Sequence, residues 1–333
     1  MFTNCKYAYF YANFRYLCTN SLPKMKFRTV LFAISAIVLS SCAGRYVSVS
    51  GYAQGGVYNV KYNAKGVKTP RAEVCREIEG ILEAVDTTLS GYNKKSLLSR
   101  RNAGEAVVPN EMFRDILEKA EYYKALSGGA FDAAAGPLFD IWGFGFTTDS
   151  LPSDERLAEA LERCKRQEVL NFNAIAQGYS CDLIAGYLHS IGVTDMLVNI
   201  GEIYCEGLNP SGKAWTIGID LPADDNDTPG ERLAGTWRSD GAAHGVVTSG
   251  NYRKFYIRDG KKYAHSIDPR TGRPVEHNLL SATVIAPTAT EADALATYFM
   301  VAGAQEARAW VEAHDGVEAC LISADGTWRS PGF

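Results

Sequence analysis

The sequence predicts an α+β fold in which a mostly antiparallel sheet is flanked by helices. Helical periodicity dominates the chain up to Gly192, whereas closely spaced strand patterns follow from Met196. No GxGxxG or GxxxxGK[ST] motif stands at a strand-to-helix junction, so a Rossmann or P-loop nucleotide site is not expected. With 46% hydrophobic and 22% charged residues among 333, the chain has the composition of a globular protein.

The N-terminal segment has the pattern of a signal peptide. Lys24, Lys26 and Arg28 precede an apolar run from Val30 to Leu39, and the sequence Leu-Ser-Ser-Cys ends at Cys42. The run is shorter than the roughly 20 residues that cross a bilayer as a helix. We therefore interpret this segment as a lipobox with Cys42 as the lipidated residue. A short anchor helix with a chance cysteine is the alternative.

These features give the predicted domain organisation. Residues 1–41 form the signal region, and 1–24 fit no signal pattern, so that a translation start at Met25 is left open. A small, polar tether is predicted at 42–54 and a folded domain at 55–333. Such a lipoprotein is expected in the cell envelope, anchored by lipid to the inner or outer membrane and facing the periplasm.

The chain from Cys42 onward is strongly acidic. Five of the 34 Lys and Arg precede Cys42, but none of the 38 Asp and Glu do, which leaves a net charge of about −9. Nucleic acid is therefore not an expected partner, because binding it requires a basic face. The five later cysteines show no CxxC spacing, and we expect neither a disulfide framework nor a zinc site. They are interpreted as buried small side chains with at most one bridge.

The elements predicted before Gly192 are one strand and four helices. Val57 to Tyr62 alternates apolar and polar residues, as a half-buried strand does. Apolar residues at helical spacing, with polar N-terminal caps and terminal glycines, predict the helices. Their predicted bounds are Pro70–Leu89, Asn110–Leu126, Ser153 to about Lys165, and the segment after Gly178 up to Gly192.

Strands dominate the predicted second half. Asp259-Gly260 between two strand patterns indicates a hairpin turn. The predicted strands are Met196–Ile200, Trp215–Asp220, Val246–Ser249, Tyr252–Arg258, Lys261–Ile267, Leu280–Ala286 and Val317–Ile322. Two helices are predicted at Thr290–Val301 and Gln305–His314.

The predicted helix from Thr290 carries a candidate cation site. Asp293 and Thr297 are four residues apart and therefore lie on one flank of the helix. A carboxylate and a hydroxyl are hard oxygen ligands of the kind that Mg²⁺ prefers. Thr290 to Asp293 also fits a capping box, which would make Asp293 a helix-start residue. Spacing alone favours the cap.

The segment from His265 to Gly272 is a strand end followed by a turn rich in Pro and Gly. Because imidazole titrates close to neutral pH, His265 is a candidate general base. A structural histidine at the strand end is the alternative, and the turn is also explained by hydrogen bonding of its own side chains. Periodicity does not choose between these interpretations.

Two further segments have the composition of ligand-binding loops. Glycines between Gly128 and Gly145 permit close backbone approach, and Phe131 and Trp142 offer flat surfaces to a ring system. A loop packed by its own aromatic residues is the alternative. Leu170 to Tyr179 is a polar strand-to-helix junction, suited either to a nucleobase or to capping the helix.

Taken in order, these segments resemble the FAD:protein FMN transferase family, also called the ApbE family. The resemblance runs from about Gly55 to Trp328, and it implies the T-fold-related architecture of that family. Each motif is short, but the ordered set is specific. The motifs are Gln54–Tyr58, Asp86 with Leu89–Tyr92, Ser96–Asn102, Gly129–Asp132, Gly136–Leu138, Ala174–Gly178, Val198–Gly201, Thr248–Gly250, His265–Gly272 and Asp293–Thr297.

The resemblance implies a reaction and a set of site residues. FAD would be cleaved, FMN would be attached through a phosphoester to a Ser or Thr of a target flavoprotein, and AMP would be released. Asp293, Thr297 and the backbone carbonyl of Ala174 would hold Mg²⁺, and His265 would be the base. The FAD site would be formed by Tyr92, Ala130, Phe131, Asp132, Asn171 and Gln177.

Three positions depart from the family pattern. Asn171 stands where many members have Asp, Gln177 where many have Lys, and Gly201-Glu202 replaces the commoner Gly-Gly-Asp. Expected acceptors are exported flavoproteins, such as the flavin-carrying subunits of Rnf and Nqr complexes. Two alternatives remain open: an FAD pyrophosphatase that gives FMN and AMP, and a non-catalytic flavin-binding lipoprotein.

Overall fold

A computed structural model describes residues 46–145, 151–223, 226, 228, 230–252, 255–258 and 261–333. The predicted signal region, Cys42 and the Asp259-Gly260 turn lie outside these residues. Within the described ranges, none of the helices combines the length and the apolar character needed to cross a membrane.

The helices follow the sequence prediction closely where they are long. Asn110 and Ser153 cap two of them, each accepting a hydrogen bond from a backbone N–H three residues ahead. Two six-residue helices were not predicted, because they are too short for apolar periodicity to show. The helices in the described ranges are α1 Arg71–Leu89, α2 Leu97–Asn102, α3 Glu111–Leu126, α4 Gly136–Ile141, α5 Asp154–Lys165, α6 Ala176–Ser190, α7 Ala289–Ala302 and α8 Ala304–Glu312, with a 3₁₀ turn at Ala133–Ala135.

The strands are β1 Tyr46–Ala53, β2 Gly56–Asn63, β3 Met196–Asn199, β4 Ile203–Glu206, β5 Thr216–Asp220, β6 Leu233–Arg238, β7 His244–Gly250, β8 Phe255–Arg258, β9 Lys261–Ala264, β10 Ile267–Asp268, β11 Arg273–Pro274, β12 Leu279–Ala286, β13 Glu318–Ser323 and β14 Gly326–Arg329. Eight of them form one sheet in the order β1-β2-β3-β4-β7-β12-β13-β14. The described pairings are antiparallel, and the remaining strands pair as β5–β6, β8–β9 and β10–β11. The predicted α+β class is confirmed.

The tether predicted over 42–54 is wrong from Tyr46 onward, because β1 is an edge strand of the large sheet. It pairs with β2 along its whole length, from Tyr46 opposite Asn63 to Ala53 opposite Gly56. Its serines face away from the core, where the Asn59 side chain donates to the hydroxyls of Ser48 and Ser50 at 3.2 and 2.6 Å. The small polar residues that suggested a tether are therefore the outer face of a strand.

Helices cover one face of the large sheet, and the β5–β6 hairpin covers part of the other. On the helical face, α7 packs on β7 and β12, and α6 lies beside α7. On the opposite face, Trp215, Ile217 and Trp237 pack against Val246 and Ile285. The five described cysteines are free and four are buried, which confirms the prediction of small buried side chains.

One end of the sheet provides the floor of a cleft. The antiparallel register brings the end of β3 beside the start of β4, and it brings Gly250 at the end of β7 beside Ser281 on β12. The turn between β1 and β2 lies toward the same end, because Asn59 pairs with Asn199. Gln54 in that turn donates to the Ser180 hydroxyl on α6 at 2.6 Å.

Candidate active site

The residues selected from the sequence come together in one cleft of about 380 Å³. This volume is in the range of small-molecule sites. The cleft lies between the loops before α4 and α6, the flank of α7 that carries Asp293 and Thr297, and the segment that joins β9 to β10. Its lining includes Tyr92, Ala130, Phe131, Asp132, Asn171, Ala174, Gln177, His265, Asp293 and Thr297.

Asp293 lies in the second turn of α7. The interpretation of Thr290 to Asp293 as the capping box of this helix is therefore wrong. The N-cap of α7 is Thr288, whose hydroxyl accepts the N–H of Glu291 at 3.1 Å. Asp293 Oδ2 instead accepts the N–H of Gly178, in the first turn of α6, at 3.0 Å. Within the described part of the chain, no donor reaches Oδ1, so this oxygen is available to a ligand in the cleft.

Burial controls the charge of Asp293. Its side chain is only 5% exposed, and burial raises the pKa of its carboxyl group to about 7. The Gly178 N–H opposes this rise, and the nearby Asp182 carboxylate adds to it. Near neutral pH, the Asp293 carboxyl group is therefore close to its own pKa, so that it is neither fully protonated nor fully ionised.

The donor atoms around Asp293 fit a hard divalent cation. Asp293, Thr297 and Ala174 line the same cleft, and they carry a carboxylate, a hydroxyl and a backbone carbonyl, which are all oxygen ligands. The described residues contain no group of three or more His, Cys, Asp or Glu placed to hold a metal. A cation here would need further oxygens from substrate phosphates and water, which is how Mg²⁺ is commonly bound.

The junction before α6 holds Asn171 and Gln177 in fixed orientations. Asn171 Oδ1 accepts the N–H of Asn173 at 2.9 Å, and the Asn171 N–H donates to the Ala133 carbonyl at 2.7 Å. Gln177 Nε2 donates to the Ile200 carbonyl at 3.0 Å. The Asn171 amide NH₂ and the Gln177 side-chain carbonyl remain as the groups that can contact a ligand.

The glycine-rich loop contributes backbone and small side chains more than aromatic faces. Phe131 is 2% exposed and packs edge-on against Tyr123, with the ring centroids 6.2 Å apart. Asp132 pairs with Lys124 at 2.9 Å and caps the 3₁₀ turn. Tyr92 differs from both because it is 67% exposed where it lines the cleft.

Trp142 is not among the residues that line the cleft, so its predicted role as a ring platform is wrong. Its indole Nε1 donates to the Gly272 carbonyl at 2.7 Å, and its ring stacks on Tyr263 at 6.0 Å. The alternative of a loop packed by its own aromatic residues is correct at this position.

His265 lies between β9 and β10 and lines the cleft, with its ring edge-on to Phe144 at 6.3 Å. The turn that follows is held by Asp268, whose carboxylate accepts the backbone N–H of Arg270 and pairs with its guanidinium, both at 2.9 Å. The Gly272 N–H donates to the Asp268 carbonyl at 2.7 Å. The turn is thus held by its own hydrogen bonds, and it also presents His265 to the cleft.

Sequence reasoning gave no role to several residues of the site. Ser249 and Glu202 lie in or beside motifs that were noticed, but local spacing gave no signal for a role of their side chains. Asp182 gave no signal at all, because its hydrogen-bond partners are 107 and 108 residues away in the sequence. The lining that was missed includes Phe139, Phe144, Glu202, Thr248, Ser249, Tyr252 and Ser266.

Comparison with known proteins places this cleft in a family. The model of the ApbE family matches residues 54–321. The chain belongs to the ApbE family. The match spans the cleft-lining segments from Tyr92 to Val301.

Relatives and solved structures of the ApbE family agree with this assignment. The FAD:protein FMN transferase of Escherichia coli (strain K12) is 34% identical, over 79% of this chain and 81% of the relative. That of Haemophilus influenzae is 32% identical, over 89% and 92% of the two chains. The structure of the flavin transferase ApbE from Vibrio cholerae has a TM-score of 0.73 and 30% identity, over 86% of this chain and 98% of that one. The apo Pseudomonas stutzeri flavinyl transferase ApbE has a TM-score of 0.75 and 33% identity, over 86% and 95%.

Proposed function

We propose that this ApbE-family chain is a Mg²⁺-dependent FAD:protein FMN transferase that releases AMP and attaches FMN through a phosphoester to a Ser or Thr of a target flavoprotein. The observation that carries the proposal is the meeting of Asp293, Thr297 and His265 in one cleft with the candidate flavin-site residues. The names of the relatives, FAD:protein FMN transferase, support the same activity.

Different residues of the cleft would have different roles in this reaction. Bound Mg²⁺ would neutralise the charge that develops on the pyrophosphate oxygens. Asp293 Oδ1, the Thr297 hydroxyl and the Ala174 carbonyl would hold it. Neutral His265 would accept the proton of the incoming hydroxyl, because an alcohol attacks phosphorus more readily as it loses that proton.

The polar and aromatic lining would hold the two halves of FAD. The Asn171 amide and the Gln177 carbonyl are neutral and fixed by their own hydrogen bonds, so they can orient a nucleoside edge. The Tyr92 ring is exposed and can pack on a flat heterocycle. Ala130, Phe131 and Asp132 would shape the backbone wall between these two contacts.

The acceptor and the location are part of the proposal. We propose that the acceptors are exported flavoproteins with a Ser/Thr flavinylation motif, such as Rnf- or Nqr-type subunits. Lipid on Cys42 would hold the enzyme at a membrane on its periplasmic side. The basic, apolar and small-residue order before Cys42 supports this anchor.

The deciding experiment is flavinylation of an acceptor. The chain from Ala43 onward is incubated with FAD, Mg²⁺ and a protein that carries a Ser/Thr flavinylation motif, and mass spectrometry measures covalent FMN. We expect a modified Ser or Thr that is absent when EDTA is present. Free FMN and AMP without modification would instead indicate a pyrophosphatase, and no turnover would indicate a binding protein.

A further inference from the structure

Helices α6 and α7 each carry a carboxylate that accepts hydrogen bonds from backbone N–H groups at the N-terminus of the other helix. Asp182 on α6 accepts the N–H groups of Ala289 and Thr290, the first residues of α7, at 2.9 and 2.8 Å, as well as the Thr290 hydroxyl. Asp293 on α7 accepts the N–H of Gly178, near the start of α6, at 3.0 Å. We call these five residues the helix clasp. The N-cap residue of α6, Ile175, makes no side-chain cap bond, so the clasp provides its capping carboxylate.

The clasp can close because α6 and α7 touch at Gly178. A Cβ atom at Gly178 would lie 2.2 Å from the Ala289 carbonyl oxygen and 2.8 Å from the Asp293 Cβ. Such distances leave no room for any side chain. The two helix starts are therefore held in contact by backbone packing and by hydrogen bonds in both directions.

The clasp also fixes the distance between two groups of candidate Mg²⁺ ligands. Ala174 lies just before α6, whereas Asp293 and Thr297 lie on α7, so their separation depends on how the two helices are docked. Asp293 Oδ2 accepts the bond from Gly178, whereas Oδ1 accepts no bond from a described donor. A shift of α7 along α6 would move this oxygen away from the Ala174 carbonyl.

Asp182 acts on this geometry from outside the active-site cleft. It does not line that cleft but a separate cavity of about 580 Å³, together with Tyr123 and Tyr179. Asp182 therefore acts on the cation site from outside the cleft in two ways: through the position of α7, and through its charge, which raises the pKa of Asp293. A variant that keeps this charge separates the two.

We propose that Asp182 is a positioning residue for the cation site: by holding the first turn of α7, it sets Asp293 and Thr297 opposite the Ala174 carbonyl. This inference rests on the proposed function, since it assumes that these atoms bind Mg²⁺. Positioning residues behind metal ligands commonly change metal affinity by roughly 10- to 100-fold when they are replaced.

The test compares two carboxylate-to-amide variants of the purified full-length protein. Asp182→Asn places an NH₂ group against backbone donors and so loosens the clasp. Glu118→Gln is the matched control, because Glu118 lines the same outer cavity and makes no hydrogen bond or ion pair with another described side chain. Mn²⁺ binding is measured by calorimetry with FAD present, and the Mg²⁺ concentration for half-maximal AMP release is measured separately.

We expect Asp182→Asn to weaken Mn²⁺ binding and to raise the half-maximal Mg²⁺ concentration, each by about tenfold or more. The KM for FAD at saturating Mg²⁺ should change by less than about twofold, and Glu118→Gln should match the parent protein. Unchanged Mn²⁺ affinity in a folded Asp182→Asn protein would overturn the inference, even if turnover fell.

Two further results keep the test decisive. Thr290→Val removes only the hydroxyl bond of the clasp and keeps the charge of Asp182. Whether or not Asp182→Asn folds, Thr290→Val must shift both cation measurements in the same direction. Unshifted values for that variant would overturn the inference. A parent protein that transfers FMN without any divalent cation would contradict the Mg²⁺ dependence of the proposed function itself.

Discussion

In the proposed mechanism, the buried carboxylate of Asp293 would serve both the fold, through its bond from Gly178, and the chemistry, through Oδ1. We predict that Asp293→Ala lowers AMP release at least ~100-fold, because the variant loses the carboxylate of the proposed cation site. FAD binding should survive in weaker form, since the aromatic and amide contacts of the cleft remain. Enzyme assay and FAD titration measure the two effects.

The control for that variant is Glu291→Gln, on the same helix. Glu291 is partly buried and its pKa is raised by burial and then by Asp182, but it is not part of the described cleft lining. Turnover of Glu291→Gln should stay within about threefold of the parent protein. If Asp293→Ala turned over as fast as this control, the proposal of a cation site at Asp293 would be wrong.

The raised pKa of Asp293 predicts how stability depends on pH in the absence of metal. The folded state holds the proton up to about pH 7, whereas the unfolded chain releases it near the ordinary value of 3.8. The stabilising contribution is therefore complete below about pH 4 and is lost as the pH rises through 7. Between pH 5 and 7, the free energy of unfolding should fall by roughly 3 kcal/mol from this group, at about 1.4 kcal/mol per pH unit, and it should level off above pH 7.

Chemical denaturation in EDTA at several pH values checks this prediction. Asp293→Asn cannot ionise at this position and should abolish most of the fall. A metal-free protein whose stability rises steadily from pH 5 to 8 would show that the buried carboxyl group does not control this range.

His265 is predicted to matter for transfer more than for binding. His265→Gln removes the base but keeps a polar side chain at the cleft. Covalent FMN transfer should fall by about 100-fold or more, in line with the usual contribution of a general base. The dissociation constant of FAD should change by less than about threefold. If the variant and the parent transferred FMN equally fast, a group other than His265 would have to accept the proton of the acceptor hydroxyl.

At the scale of elements, the contact between α6 and α7 depends on one glycine. Gly178→Ala would place a methyl group 2.2 Å from the Ala289 carbonyl oxygen, so the helices must separate. We predict that Gly178→Ala lowers the free energy of unfolding by about 1–3 kcal/mol or more, which is the usual cost of overpacking. Gly186→Ala on the same helix is the control, because nothing lies within 4 Å of its added carbon.

Gly186→Ala should leave stability unchanged or raise it by up to ~1 kcal/mol, because Ala favours the helix. Thermal or urea unfolding of the two variants gives the comparison. Similar stabilities for both would mean that the close approach at Gly178 relaxes at little cost.

The sequence predicted the long helices and strands well, but it did not predict the side-chain hydrogen bonds that join them. The apolar stripe of α7 was visible, because burial on one face repeats every three to four residues. What periodicity could not show was that Asp293 caps a helix starting more than 100 residues earlier in the chain. The same limit hid Asp182, since side chains that bond across the fold leave no local spacing.

For the candidate site, the resemblance to a family supplied what local patterns did not. Composition and spacing alone favoured a cap at Asp293 and left the role of His265 open. The structure brings both into one cleft, although their metal-binding and catalytic roles stay predictions. Trp142 failed as a predicted ring platform because its indole N–H found a backbone carbonyl partner in the adjoining core.

At the scale of the whole molecule, β1 is part of the folded body and not of a linker. A chain that begins at Gly55 would lose a strand paired along its whole length and uncover the core side chains around Val49. We predict that this truncation costs roughly 2–3 kcal/mol and lowers Tm by about 5 °C relative to a chain that begins at Ala43. Calorimetry measures the Tm of the two proteins. Equal Tm values would mean that β1 does not stabilise the folded domain and behaves as a tether.

The position of β1 also limits how far the enzyme can reach. If Cys42 carries lipid, the four residues to Tyr46 extend at most about 14 Å. Strand β1 then adds about 26 Å before the turn at Gln54, which is bound to α6 beside the cleft. That turn must therefore stay within about 40 Å of the bilayer surface. If the proposed lipid anchor holds, the proposed acceptors would have to present their hydroxyl groups within this distance of the membrane.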